Sequence, residues 1–177
     1  MNGDLLIAWT ARAAVACYVG RVAIDAAGRC DPAAQKTVRW IWTLGCIIFL
    51  AHVAAAFHFV HGWSHAAAYE HVARRTNEMI GWTTGVGLYV NYAFTLVWLV
   101  DCVLWWRCLD WPKRRVPYWI IQLLFGFLMM QATMVFGPPF WKPVGLVTIA
   151  GLLMLFWYGW RRRIARHKSI PSSSIFR

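Results

Sequence analysis

Val38-Arg-Trp-Ile-Trp-Thr-Leu-Gly-Cys-Ile-Ile-Phe-Leu-Ala-His-Val-Ala-Ala-Ala-Phe-His-Phe-Val60 decides the fold class. Apart from Arg39 it is almost free of charge, and it is long enough to cross the roughly 30 Å hydrocarbon core as a helix, for which about 20 apolar residues suffice. Working outward, Thr84–Leu109, Tyr118–Phe136 and Val144–Trp160 read the same way. Leu5–Ile24 is interrupted by Arg12 and Arg21, so it reads as a fifth span or as an amphipathic helix on the membrane surface. The expected fold is an all-α integral membrane bundle of five transmembrane helices, the alternative being four spans plus an N-terminal interfacial helix. Residues 1–168 form one domain on this reading, and the serine-rich 169–177 a disordered tail.

Composition agrees. Of 177 residues 60% are hydrophobic and 14% charged, and the mean hydropathy is +0.47, too apolar for an ordinary soluble domain. The net charge of +11 suggests nucleic acid at first sight. The basic residues, however, flank apolar runs, and no recognition motif accompanies them, so no nucleic-acid partner is expected. Their distribution instead orients the chain. Arg29, Lys36, Arg39, Arg107, Lys113, Arg114 and Arg115 fall in one set of loops, and Arg161, Arg162, Arg163, Arg166, Lys168 and Arg177 follow the last span. The opposite side holds only Arg74, Arg75 and Lys142. By the positive-inside rule the C-terminus is cytoplasmic and the N-terminus outside, as in a bacterial-type inner membrane, with anionic lipid as partner at the cytoplasmic face. Trp63, Trp82 and Trp141 would mark the outer interface, and Trp40, Trp42, Trp105, Trp106, Trp111, Trp119, Trp157 and Trp160 the inner one. No cleavable signal peptide is expected, because Met1-Asn-Gly-Asp4 lacks a basic region. Cys17, Cys30, Cys46, Cys102 and Cys108 contain no Cys-x-x-Cys pair and read as packing residues.

Chemistry is suggested by the histidines. Five of the six lie between His52 and His71. In His58-Phe-Val-His61-Gly-Trp-Ser-His65 the spacings of three and four would put three imidazoles on one face of a continuous helix. His58, His61, His65 and His71 are therefore the candidate metal ligands, with Glu70 or Asn77 able to complete a site. Zinc, copper and iron all accept imidazole. Haem b is a further candidate, with His71 folding back, or Met129, Met130 or Met134 or a second subunit supplying the other axial ligand. Met134 with His58 would suit copper. His52 lies deeper. With Arg12, Tyr89, Asn91, Tyr92 and Gln131 it would form an interior polar cluster, able to bind a cofactor or relay protons, or simply to bond helices together. Arg21 and Asp101 should form an intramembrane salt bridge, since each is expensive alone at depth.

The segment Ser64–Met79 has good helix formers and i,i+4 pairs, Glu70 with Arg74 and Arg74 with Glu78, so an exposed helix is expected over the histidine-lined end. Hydrolase, phosphate-loop and His-Glu-x-x-His signatures are missing from the sequence. The motif His-x-x-His-x-Trp-Ser-His-x-x-Ala-Tyr from His58, with Gly-Leu-Tyr-Val-Asn-Tyr from Gly87, resembles a family of uncharacterised bacterial multi-pass membrane proteins. The resemblance implies a multi-pass fold and no particular activity. Three functions compete: a metal- or haem-binding protein, such as a redox or electron-transfer accessory subunit; a small transporter or proton-coupled channel using His52, Arg12 and Asp101; and a structural subunit, as a homo-oligomer or within a larger membrane complex.

Overall fold

The computed structural model describes residues 3–27, 31–108, 115–130 and 141–168. Among these the chain is helical, with no strand: α1 Gly3–Ala26, α2 Pro32–Phe59, α3 His65–Ile80, α4 Val86–Arg107, α5 Arg115–Met130 and α6 Trp141–Lys168. Three of them, α1, α2 and α4, are long and apolar enough to cross a membrane. The apolar parts of α5 and α6, Tyr118–Met129 and Pro143–Tyr158, are shorter. Helix α6 continues through the basic run to Lys168, beyond the Trp160 expected from hydropathy. The tail 169–177 lies outside the described residues, as do Gln131 and Met134.

Local chemistry sets the boundaries. Helix α2 starts where Asp31 accepts a hydrogen bond from the Ala34 N–H at 3.0 Å, with Pro32 in the first turn, where its missing N–H costs nothing. Replacing Asp31 with Ala is expected to lower stability by about 1 kcal/mol, read as a shift in the unfolding midpoint. At the far end α2 stops at a reversal made by Gly62 (φ 55°) and Trp63 (φ 60°). The Ser64 hydroxyl then accepts from the Ala67 N–H and starts α3. Gly81, at φ 76°, ends α3 in the left-handed conformation that glycine adopts without strain.

The core is aromatic and lies where α1, α2, α4 and α5 meet. Trp42, Trp98 and Phe125 are fully buried. Trp42 packs on Trp98 with ring centroids 4.8 Å apart and on Phe125 at 4.8 Å, while Trp98 meets Phe125 edge-on at 4.9 Å. Helix α1 lies tight against α2 at Gly45, where a Cβ would sit 2.9 Å from Cys17 Cβ and 3.0 Å from Trp98 Cζ2. Helix α3 rests on the start of α4, with the Tyr69 ring filling the space beside Gly85. The outer surface is apolar in turn: Leu96, Leu123, Val147 and Met154 are each more than 60% exposed. A surface this apolar suits lipid and not water.

Two expectations for the tryptophans need correcting. Trp42 and Trp105 are buried core residues and not belt residues, because a buried arginine lies over both rings. Trp40, Trp63, Trp82, Trp106, Trp119 and Trp157 are exposed, as a belt requires.

Candidate functional site

The reversal at Gly62–Trp63 undoes the shared histidine face. His58 is in the last turn of α2, His61 in the turn, and His65 is the first residue of α3. The three rings consequently have separate surroundings. His58 is exposed, edge-on to Phe59 at 4.7 Å and 6.5 Å from the Trp63 ring. His65 is engaged with α4: its Nδ1 is 3.1 Å from the Tyr92 hydroxyl and its Nε2 3.5 Å from the Tyr89 hydroxyl. His61 instead meets His71, which α3 carries back over the turn, with ring centroids 5.2 Å apart at 71°. Among the described residues no three His, Cys, Asp or Glu side chains come together as a metal-holding group. Of the four histidines expected from spacing to form a site, His61 and His71 alone have their rings in contact among the described residues.

That pair has the right separation for a small ion. A metal–imidazole bond of about 2.0–2.1 Å puts the ring centre about 3 Å from the metal, so two rings at a tetrahedral angle have centroids about 5 Å apart. Axial ligands on opposite faces of a haem would be about 6 Å apart with a macrocycle between them. At 5.2 Å the pair is nearer the separation of adjacent ligands on one ion than that of axial haem ligands. Both rings titrate below the ordinary 6.5: His61 through partial burial and then the charge of His71, and His71 through partial burial and then the charges of Arg74 and Arg75, with Glu78 opposing. Both shifts favour the neutral ring, the form that binds metal. One neighbour competes. Arg74 Nη2 lies 3.4 Å from His71 Nδ1, and since a guanidinium only donates, Nδ1 must accept. The neutral ring then carries its proton on Nε2, so Arg74 must leave Nδ1 before a metal takes that nitrogen.

The expected ion pairs along α3 also change. Arg75 pairs with Glu78 at 3.2 Å, and Arg74 turns to His71, in place of the Glu70–Arg74–Glu78 ladder.

Deeper in the bundle, His52 Nδ1 lies 3.0 Å from the Ile7 carbonyl and 3.4 Å from Thr10 Oγ1, both on α1. Of the wider polar cluster predicted around it, the described members are engaged elsewhere or exposed, and Gln131 lies outside the described residues. Tyr89 and Asn91 are exposed, Tyr89 turns to His65, and Arg12 lies over the Trp9 ring at 5.0 Å. His52 is a helix-bridging residue here. Met129 is buried in the core cluster.

The densest polar assembly is at the other end of the core. Arg21, 2% exposed, lies between the rings of Trp42 (3.9 Å) and Trp105 (4.9 Å). Its Nη1 is 3.6 Å from Asp101 Oδ2, the ion pair the sequence suggests, and its Nε is 3.7 Å from Asp25 Oδ2. Trp42 Nε1 donates to Asp101 Oδ2 at 2.7 Å, and the Tyr118 hydroxyl to Asp25 Oδ2 at 3.1 Å. One cation thus ties α1, α2 and α4 together, and Tyr118 brings in α5. A cavity of about 230 Å³ between α4 and α5 reaches Asp101, and its other lining residues, among them Val97, Val100 and Ile121, are apolar. The carboxylate is already committed to Arg21 and Trp42, which suits a clamp better than a carrier of protons. Sequence reasoning missed Asp25, Tyr118 and Trp42 as members. The signals were present: Asp25 stands four residues after Arg21, and Tyr118 shares a helical face with Phe125 and Met129.

No family model, curated protein or solved structure matches this chain, and its function has to be read from its own geometry.

Proposed function

We propose that this chain is a multi-pass protein of a bacterial-type inner membrane that captures a transition-metal ion, zinc or copper, at its outer face through His61 and His71. Water would fill the remaining coordination positions, so the site is open and exchangeable, unlike a closed structural one. The observation that carries this reading is the edge-on approach of the two rings at 5.2 Å, the separation expected of two adjacent ligands on one ion. The topology belongs to the proposal: five crossings, N-terminus outside, C-terminus in the cytoplasm. Three helices of sufficient length and the one-sided distribution of Lys and Arg support it. The likeness of the His58–Tyr69 motif to a multi-pass family points the same way. An open two-histidine site fits an accessory subunit that holds or hands over a metal.

The test is calorimetric titration of detergent-purified protein with Zn(II) and Cu(II). One ion per chain is expected. His61→Ala and His71→Ala should each abolish binding, while His58→Ala and His65→Ala leave it unchanged. Arg74→Leu should tighten binding, because it removes the donor that occupies His71 Nδ1. The pH dependence follows from the two lowered pKa values. Binding should persist as pH falls through the ordinary 6.5 and be lost below it, as the imidazoles take up protons. Wild-type protein that binds neither ion, or that loses binding equally in all four His variants, would overturn the reading.

A further inference from the structure

The end of the bundle opposite the histidines carries a second, independent arrangement. The Arg39 guanidinium lies 4.1 Å over the ring of Trp106, joining α2 to α4. Trp40 meets the same ring edge-on at 4.9 Å and 77°. The ring is held in place: Trp106 Nε1 donates to Thr43 Oγ1 at 3.0 Å, and the Thr43 hydroxyl in turn donates to the Arg39 carbonyl at 2.9 Å. Arg39 Nε is buried without a hydrogen-bond partner, and Arg39 forms no salt bridge among the described residues. Arg21, in contrast, has two carboxylates within 4 Å. A stacked, immobilised guanidinium with no protein anion among the described residues is an acceptor site for an external one, since its fork matches phosphate oxygens.

The surroundings indicate which anion. Trp40 and Trp106 remain 55% and 41% exposed. From Trp40 an exposed apolar stripe runs along α2 through Leu44 and Ile47, and from Trp106 another runs along α4 through Val103 and Leu99. Exposed Lys36 stands one turn before Arg39, and exposed Arg107 ends α4. A polar, cationic head leading into two apolar tracks matches an amphiphile with an anionic head and acyl chains, whereas free phosphate would leave the tracks without a role.

We infer that Arg39, stacked on Trp106 beside Trp40, binds the headgroup phosphate of an anionic phospholipid in the cytoplasmic leaflet, with an acyl chain lying along α2 and α4. The inference rests on the membrane reading and is independent of the metal site.

The experiment reconstitutes the full chain in phosphatidylcholine vesicles. Electron paramagnetic resonance then compares how much spin-labelled phosphatidylglycerol and spin-labelled phosphatidylcholine the protein immobilises. Wild type should prefer phosphatidylglycerol, and Arg39→Gln should reduce that preference roughly fivefold, the weight of one basic residue at a membrane surface. Arg39→Lys, which keeps the charge and loses the planar stack, should fall between them, and Arg75→Gln at the other face should behave as wild type. Inorganic phosphate in excess should not displace the lipid. Circular dichroism of each variant separates loss of lipid from loss of fold. Equal immobilisation of both lipids, or an unchanged preference in folded Arg39→Gln, would overturn the inference. So would a preference that survives Arg39→Gln and disappears when Arg161, Arg162 and Arg163 are replaced by Gln. A chain that fails to enter the vesicles at all would refute the membrane reading itself.

Discussion

Asp101→Leu is expected to be the most damaging single substitution in the core, lowering stability by about 3–5 kcal/mol in a detergent unfolding titration. The reason is an asymmetry between the partners. Arg21 is 2% exposed and a guanidinium does not release its proton. Without Asp101 it stays charged, with Asp25 as its remaining carboxylate, and Trp42 Nε1 loses the acceptor it holds at 2.7 Å. Arg21→Leu should cost less, roughly 1–3 kcal/mol, since the stranded carboxylates can take up protons. The double variant Arg21→Leu/Asp101→Leu should be more stable than Asp101→Leu alone, because it leaves no buried guanidinium, and the Asp25 carboxylate that remains can take up a proton. Additive losses would mean that the pair is not coupled and that the clamp is incidental to the fold.

Gly45→Leu should come next. A Cβ at this position would already stand 2.9 Å from Cys17 Cβ on α1 and 3.0 Å from the Trp98 ring, and neither can swing aside as a flexible side chain would. Overpacking of this kind costs about 1–3 kcal/mol, and a whole isobutyl group belongs at the upper end. Helix α1 would be pushed off α2 and would carry Arg21 away from Asp101. Gly45→Ala should show a milder version, partly relieved by Cys17→Gly, which removes the atom it strikes. Unfolding midpoints of the three variants check this, and an unperturbed Gly45→Leu protein would show that the α1–α2 contact is not tight.

The helical class was legible because long apolar runs bounded by charge have few other folded outcomes. Helix α3 was legible from its helix formers and charge spacing, and the Arg21–Asp101 pair from the cost of leaving either alone. The histidine face failed for a specific reason. Spacings of three and four imply a shared face only if the helix is unbroken, and Gly62 with Trp63 reverses the chain between His58 and His65. Gly62 was the available signal; Trp63 at φ 60° was not, since a non-glycine residue rarely adopts that conformation. The pairing of His61 with His71 depends on where α3 lies, and no local pattern encodes that. His52 pairs with backbone and Thr10 on α1, a partner set decided by the packing angle and not by depth. Gly45 as a contact point was hidden as well, because a glycine in an apolar run does not announce which neighbour it accommodates.

The Arg21 clamp also bears on how the chain is assembled. In the membrane reading α1 is synthesised first and brings Arg21 and Asp25 with it, while Asp101 arrives on α4, with α2 and α3 made in between. An arginine offered to the translocon on an isolated helix carries a penalty of up to about 2.5–3.5 kcal/mol, and α1 is the least hydrophobic of the three long apolar helices. Asp25 offsets part of the penalty at once, and the remainder is offset only when α4 enters. Membrane insertion of the first helix thus becomes final late in biogenesis, and a ribosome that stalls before α4 would leave α1 without the partner that anchors it.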